Sequence, residues 1–168
     1  AIMSDTEKQG YLRSTLGIRV VQTTVAANHY SGRSAISVTP DVDLVLFEGV
    51  RLRENIRPAL ITSKSALREY EENGLSEVVG ETEHYGNLKG SNKFARTRVG
   101  IVAGSPHYGD DYIKRWSALA GESAQEAYDK DGVRLKGMAQ DFGDYGNRIL
   151  RGMRENEVLQ AILRFGRD

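Results

Sequence analysis

The sequence predicts an α/β domain with a mainly parallel sheet flanked by helices, and three observations carry that expectation. Ala59-Leu60-Ile61-Thr62 has the near-continuous apolar character of a strand buried on both faces, and Ser63 to Asn73 follows it with helical spacing. Arg98-Val99-Gly100-Ile101-Val102-Ala103-Gly104 repeats the pattern, followed by a helix that opens at Asp110 or Asp111. The chain then ends on an amphipathic stretch, Glu157 to Arg167. Strands alternating with helices at this spacing pair in parallel, because the crossover helix returns the chain to the same end of the sheet.

Composition bounds the problem. A chain of 168 residues suits one domain, long enough to bury a sizeable core. Its 23 basic and 23 acidic side chains balance, so no global field advertises nucleic acid or membrane, although a local basic face is compatible with that total. The absence of cysteine excludes disulfides, thiolate metal sites and cysteine nucleophiles. Ala1 to Gly10 is polar and no long apolar run follows, which predicts an intracellular, cytoplasmic protein without a membrane partner. Ala1-Ile2-Met3 fits either a processed start or an internal boundary.

Taken in order, the β-branched run Ile18 to Val25, between Gly17 and the Asn28–Gly32 loop, predicts a strand. Ala35 to Val38 predicts a second, short one ended by Pro40. Asp41 to Arg53 fits a helix capped at Asp41 or a buried strand through Leu44-Val45-Leu46-Phe47, and helix is the expectation. His29 stands beside Tyr30 in a loop, with no catalytic role expected. After Pro58 come the strand Ala59–Thr62 and a helix with Ser63 as N-cap and Asn73-Gly74 as stop. Leu75 to Gly80 predicts a short strand through Val78 and Val79, and Glu81 to Lys93 a polar, glycine-containing loop. Beyond the Ser105–Gly109 turn, the next helix carries Ile113, Trp116, Leu119 and Ala120, with Trp116 expected in the core. Residues 121–146 predict a long loop or excursion with some helix. In the terminal stretch, steps of about 100° gather Val158, Ala161, Ile162 and Phe165 on one side and Gln160, Arg164 and Arg167 on the other.

Parallel sheets bind ligands at the carboxyl ends of their strands, which directs attention to Thr62–Lys64, Glu81–Lys93 and Gly104–Asp111. An amide and two guanidiniums on one helix face suit an anion such as a polyphosphate, although they also suit a solvated surface. Gly86 and Gly90 would let backbone N–H groups approach an anion, with Lys89, Ser91 and Asn92 adding donors. Ser63 is either a helix cap or a phosphate contact. Lys64 and Lys89 are equally compatible with a plain surface. Tyr85 either stacks on a base or packs against the sheet.

Gln160-Ala161-Ile162-Leu163-Arg164-Phe165-Gly166-Arg167 resembles the glutamine-x-x-x-arginine-x-x-arginine signature of superfamily-two helicases. Tyr85 to Asn92 resembles that family's fifth motif, Leu60 to Lys64 its fourth, and Val99 to Pro106 the strand and small-residue-proline turn after the fifth. The resemblance covers Ala59 to Arg167 and implies a three-layer, RecA-like second motor domain spanning residues 1–168, a fragment of a longer chain. It implies that Arg164 and Arg167 act as arginine fingers, that Gln160 senses the nucleotide, and that Gly90 and Asn92 border the ATP cleft. Ser63, Lys64, Asn87, Lys89, Ser91 and His107 would then grip nucleic-acid phosphates, with DNA favoured over RNA and either single strands or duplex as partner. ATP and Mg²⁺ would be held mainly by an N-terminal RecA-like domain, the other implied partner, and the isolated chain would hydrolyse no ATP. Two departures qualify this. The phosphate loop G-x-x-x-x-G-K-[ST] and an acidic magnesium box are absent, and Asn92 stands where many relatives carry an aspartate.

Two rivals remain. A metal-dependent hydrolase would draw His84, His107, Asp110 and Asp111 from successive strand ends onto one ion. A non-catalytic RecA-like module would instead bind a partner protein.

Overall fold

The structure, a computed structural model, describes residues 19–21, 40–88, 90, 92–106, 108–135 and 140–166. Of the expected strand at Ile18–Val25 only 19–21 are described, and they adopt no regular structure. The rest of that strand, the expected Ala35–Val38 strand and His29 lie outside the described residues.

Three strands form one parallel sheet in the order β2-β1-β3, with β1 at Ala59–Thr62, β2 at Thr82–His84 and β3 at Gly100–Val102. β1 is buried at every position because it is paired on both edges and covered on both faces. The two-residue pleat sorts its side chains. Ala59 and Ile61 join Tyr85, Leu88, Phe94, Val158, Ala161 and Phe165 on one face, while Leu60 joins Phe47, Ala66, Tyr70, Leu75 and Val79 on the other. The architecture is therefore a small three-layer α/β arrangement.

The Leu60 face is covered by α1 (Pro40–Glu54), α2 (Lys64–Glu72) and α3 (Leu75–Val78). α1 is the expected helix rather than a buried strand. It begins on a proline, whose fixed φ suits a first turn, with Asp41 and Asp43 at its positive end and Arg51 and Arg53 at its negative end. Asn55, left-handed at φ 52°, terminates it. The buried Asp43 accepts a 2.8 Å hydrogen bond from the Tyr70 hydroxyl, which fastens α1 to α2. At the start of α2, Ser63 Oγ accepts from the Ala66 N–H at 3.2 Å, as a cap should.

The expected strand through Val78 and Val79 is a helical turn instead. Gly74, at φ 94°, redirects the chain, and Leu75 and Val79, four residues apart, both reach the core. That spacing is helical, not alternating. The second strand forms one step later, at Thr82–His84, inside the stretch expected to be loop; its polar, half-buried side chains gave no apolar signal.

The other face is covered by the segment after β2 and by α5 (Gly143–Ile162), with α4 (Asp110–Leu119) beside it. On α4 the inward positions are Ile113 and Ser117, one turn apart, so Trp116 turns outward and is 50% exposed rather than in the core. α5 begins inside the stretch expected to be a long loop or excursion with some helix. Asp141 opens it by accepting from the Gly143 N–H and Asn147 Nδ2, while Asn147 Oδ1 accepts from the Phe142 N–H. A Cβ on Gly146 would stand 2.5 Å from the Phe142 Cβ, so a glycine is required for the approach. Among the described residues no helix is long and apolar enough to cross a membrane.

The direction of α5 decides where its side chains fall. Phe165, just past its end, lies over Gly100, the first residue of β3, where a Cβ would meet the ring at 2.4 Å. Glu157, two turns earlier, accepts a hydrogen bond from the Tyr108 hydroxyl beyond the end of β3, and its charge reaches Tyr85 beyond the end of β2. The helix therefore runs antiparallel to the strands, from their carboxyl edge to their amino edge.

Candidate anion-binding site

Three chain segments leave the carboxyl edge of the sheet: Thr62-Ser63 into α2, Tyr85–Asn87 as a 3-10 turn after β2, and Ala103 to Pro106 after β3. β1 lies between the other two strands, so the Tyr85 side chain, whose hydroxyl donates to the Gly104 carbonyl at 2.6 Å, ties the flanking exits together. Burial, then the charge of Glu157, then Tyr108 push the Tyr85 hydroxyl far above its ordinary pKa, so it stays a donor. Tyr108 is pushed up to about 12 by burial, by the charge of Glu157, by a hydrogen bond to that carboxylate, and by Tyr112.

Arg154 lies one turn before Glu157 and Val158. Steps of about 100° place it on the same helix face as Ala161, and about 10 Å further toward the carboxyl edge. Its Nε and Nη2 are shut off from water with no hydrogen-bond partner among the described residues. Desolvation lowers its pKa, with no carboxylate acting to raise it. A guanidinium held this way is destabilising until an anion faces it. Thr62 Oγ1 and Ser105 Oγ, just beyond or at the ends of β1 and β3, are likewise buried without partners. The first N–H groups of α2 open at the same edge, where a helix N-terminus favours negative charge.

The expected site residues divide between the two edges. Ser63, Lys64 and Asn87 sit at the carboxyl edge, Ser63 half-buried and the other two exposed. Gly90 is left-handed at φ 76° in the segment returning toward the amino edge, with nothing near its missing Cβ. Asn92 is exposed and adjoins Lys93, whose Nζ reaches the Thr82 carbonyl at 2.8 Å, at the first residue of β2. The loop expected to cradle phosphate is thus a crossover that buries Leu88 and Phe94, and it separates Asn87 from Asn92. Lys89, Ser91, His107 and Arg167 lie outside the described residues.

The terminal stretch differs from expectation in one respect. The helix stops at Ile162, so Arg164 belongs to the following turn and does not continue the face that carries the exposed Gln160. Phe165 over Gly100, and Gly166 with its Cβ position 3.8 Å from the Thr97 carbonyl, hold that turn at the amino edge. Arg164 is half-buried and already engaged.

Nor do the described candidate metal ligands converge. Asp110 is held by Arg134 at 3.0 Å, Asp111 is exposed at the start of α4, and His84 ends β2. Among the described residues no three metal-ligating side chains gather.

Sequence reasoning missed Arg154 and Glu157. The available signal was a charged residue seven positions before Ala161, which places an arginine on the buried stripe of its own helix. The chain matches no protein-family profile, no curated protein and no solved structure, so the geometry of this edge is what any functional conclusion has to stand on.

Proposed function

We propose that the chain is a nucleic-acid-binding α/β domain that seats a backbone phosphate at the carboxyl edge of its sheet. Arg154 is the anchor, with Ser63, Lys64 and Asn87 beside the path of the strand. The observation that carries the proposal is the half-buried guanidinium of Arg154, desolvated along Nε and Nη2 and without a counter-charge among the described residues, which a phosphate meeting its accessible edge supplies. The helicase resemblance contributes the ligand class, since the described residues it assigns to strand binding lie at this same edge. Its nucleotide-facing half needs Arg164 to meet ATP and Mg²⁺ brought by a first RecA-like domain. Arg164 lies at the amino edge, so that half draws no support from the geometry and stands outside the proposal.

Fluorescence anisotropy with a labelled single-stranded oligonucleotide tests it. Wild-type binding weakens with salt at a log–log slope of about −0.7 per phosphate neutralised. Arg154→Met binds about tenfold to a hundredfold more weakly, matching the ~1.5–3 kcal/mol of a hydrogen bond to a charged group. Unchanged affinity in that variant refutes the assignment.

A further inference from the structure

The amino edge of the sheet carries a second basic feature, independent of Arg154. A groove of about 270 Å³ opens there, lined by Arg57, Gly80, Glu81, Arg96, Thr97 and Arg98 among others. Its origin is topological. In a parallel sheet all lead-in segments arrive at one edge, so the residues just before β1, β2 and β3 are brought side by side. Backbone bonds fix them there: Gly80 N–H to the Pro58 carbonyl at 2.9 Å, Leu60 N–H to that of Glu81 at 2.9 Å, and Ala59 N–H to that of Val99 at 3.0 Å. Pro58 further restricts Arg57 to extended backbone.

The charge in this groove is one-sided. Three arginines line it against one acidic residue, Glu81, whose carboxylate is already engaged by Lys93 at 3.2 Å. Arg57 and Arg98 are exposed and have no ion-pair partner among the described residues; Arg96 has a contact of its own. Glu54, at the end of α1 leading toward the groove, is taken by Arg53 at 3.6 Å and Arg19 at 4.0 Å. In a chain with no net charge, this is a concentrated positive field. The turn carrying Arg164 closes on Thr97, a lining residue, so that turn borders this groove and not the strand-end crevice.

We propose that the groove is a second anion site, specific for a compact polyphosphate, either inorganic or the tail of a nucleotide. Its volume falls just below the range of about 300–1,000 Å³ usual for drug-sized ligands, which suits a phosphate chain better than a bulky organic body. Arg57 and Arg98 grip adjacent phosphoryl groups as planar forks, and the backbone N–H groups of the lead-in segments set the width of the groove.

Isothermal titration calorimetry of the full chain with sodium tripolyphosphate, and separately with ATP, tests this. The expected result, read in an Arg154→Met background that removes the carboxyl-edge seat, is saturable one-to-one binding of tripolyphosphate, at least tenfold weaker when the double variant Arg57→Gln/Arg98→Gln is added. Both substituted residues are exposed, so the double variant keeps its circular dichroism spectrum. Equal affinity for ATP identifies the phosphate chain alone as the recognised group, while tighter ATP binding adds a nucleoside contact to the same site. No saturable binding, or full binding by the double variant, overturns the proposal. Loss of binding in Arg154→Met with retention in the double variant also overturns it, by moving the anion to the opposite edge.

Discussion

At the scale of single residues, Arg154 separates a structural role from a binding role. A guanidinium that stabilised the fold through a partner would be missed when removed. One that is buried without a partner is a cost to the empty protein, and an apolar side chain of similar length relieves it. Arg154→Met is therefore expected to unfold at the same urea concentration as wild type or a higher one, while losing oligonucleotide affinity. A parallel loss of stability and affinity contradicts this role for Arg154. Ser63 is the opposite case: its hydroxyl already serves the Ala66 N–H, so Ser63→Ala should lose about 0.5–2 kcal/mol of stability in denaturant titration and little affinity. The tyrosines at the same edge set the alkaline limit. Unfolded, both ionise near pH 10. Folded, Tyr108 keeps its proton to about 12 and Tyr85 longer. Above about pH 10 the unfolded chain thus binds fewer protons than the folded one, and stability falls as pH rises. Tyr108→Phe should lose less stability than wild type between about pH 9 and about pH 11 by urea titration, because one of the late-titrating groups is gone. Arg154 was not legible in the sequence because a charge on a helix says nothing by itself. Its meaning comes from which face the sheet covers, and that depends on Phe165 and Gly100, more than fifty residues apart in sequence.

At the scale of elements, the buried strand, its capped helix and the ambiguous helix at Pro40–Glu54 were predicted correctly, while the segments around β2 were not. Ala59–Thr62 with its capped helix was legible because a fully buried strand is uniformly apolar, and Ser63 and Asn73-Gly74 punctuate the helix after it. Val78 and Val79 suggested a strand through β-branched propensity, yet the Leu75–Val79 spacing satisfies a helical turn against α1 and α2, and burial overrode propensity. Thr82–His84 was hidden by its polarity, as edge strands often are. The close approach of α5 to β3 gives the test at this scale. A methyl group at residue 100 would stand 2.4–2.5 Å from three ring atoms of Phe165, so Gly100→Ala should cost about 1–3 kcal/mol in thermal or urea unfolding. Adding Phe165→Leu to that variant should recover part of the loss, since the smaller side chain vacates the ring position. Full stability in Gly100→Ala alone would show that the turn after α5 is not seated on β3.

At the scale of the whole molecule, a parallel sheet with three lead-ins and three exits sorts the chemistry onto two edges. Tyr85, Glu157, Arg154 and the unpartnered hydroxyls of Thr62 and Ser105 belong to the carboxyl edge. Arg57, Arg96 and Arg98 belong to the amino edge, together with the turn that carries Arg164. The linear order of Ser63, Asn87 and Arg164 looked like a sequence of cooperating motifs, but order along the chain does not fix which edge a residue reaches. That is decided by the direction of α5, and a helix of 20 residues is about 30 Å long, enough to carry its two ends to opposite sides of the domain. The phosphate seat at Arg154 is tested most sharply by following its Nε–Hε resonance by NMR while a single-stranded oligonucleotide is added. The expected result is a shift larger than that of any other arginine side-chain signal, saturating with the fraction bound. A stationary Arg154 signal while other side chains respond would contradict the assignment.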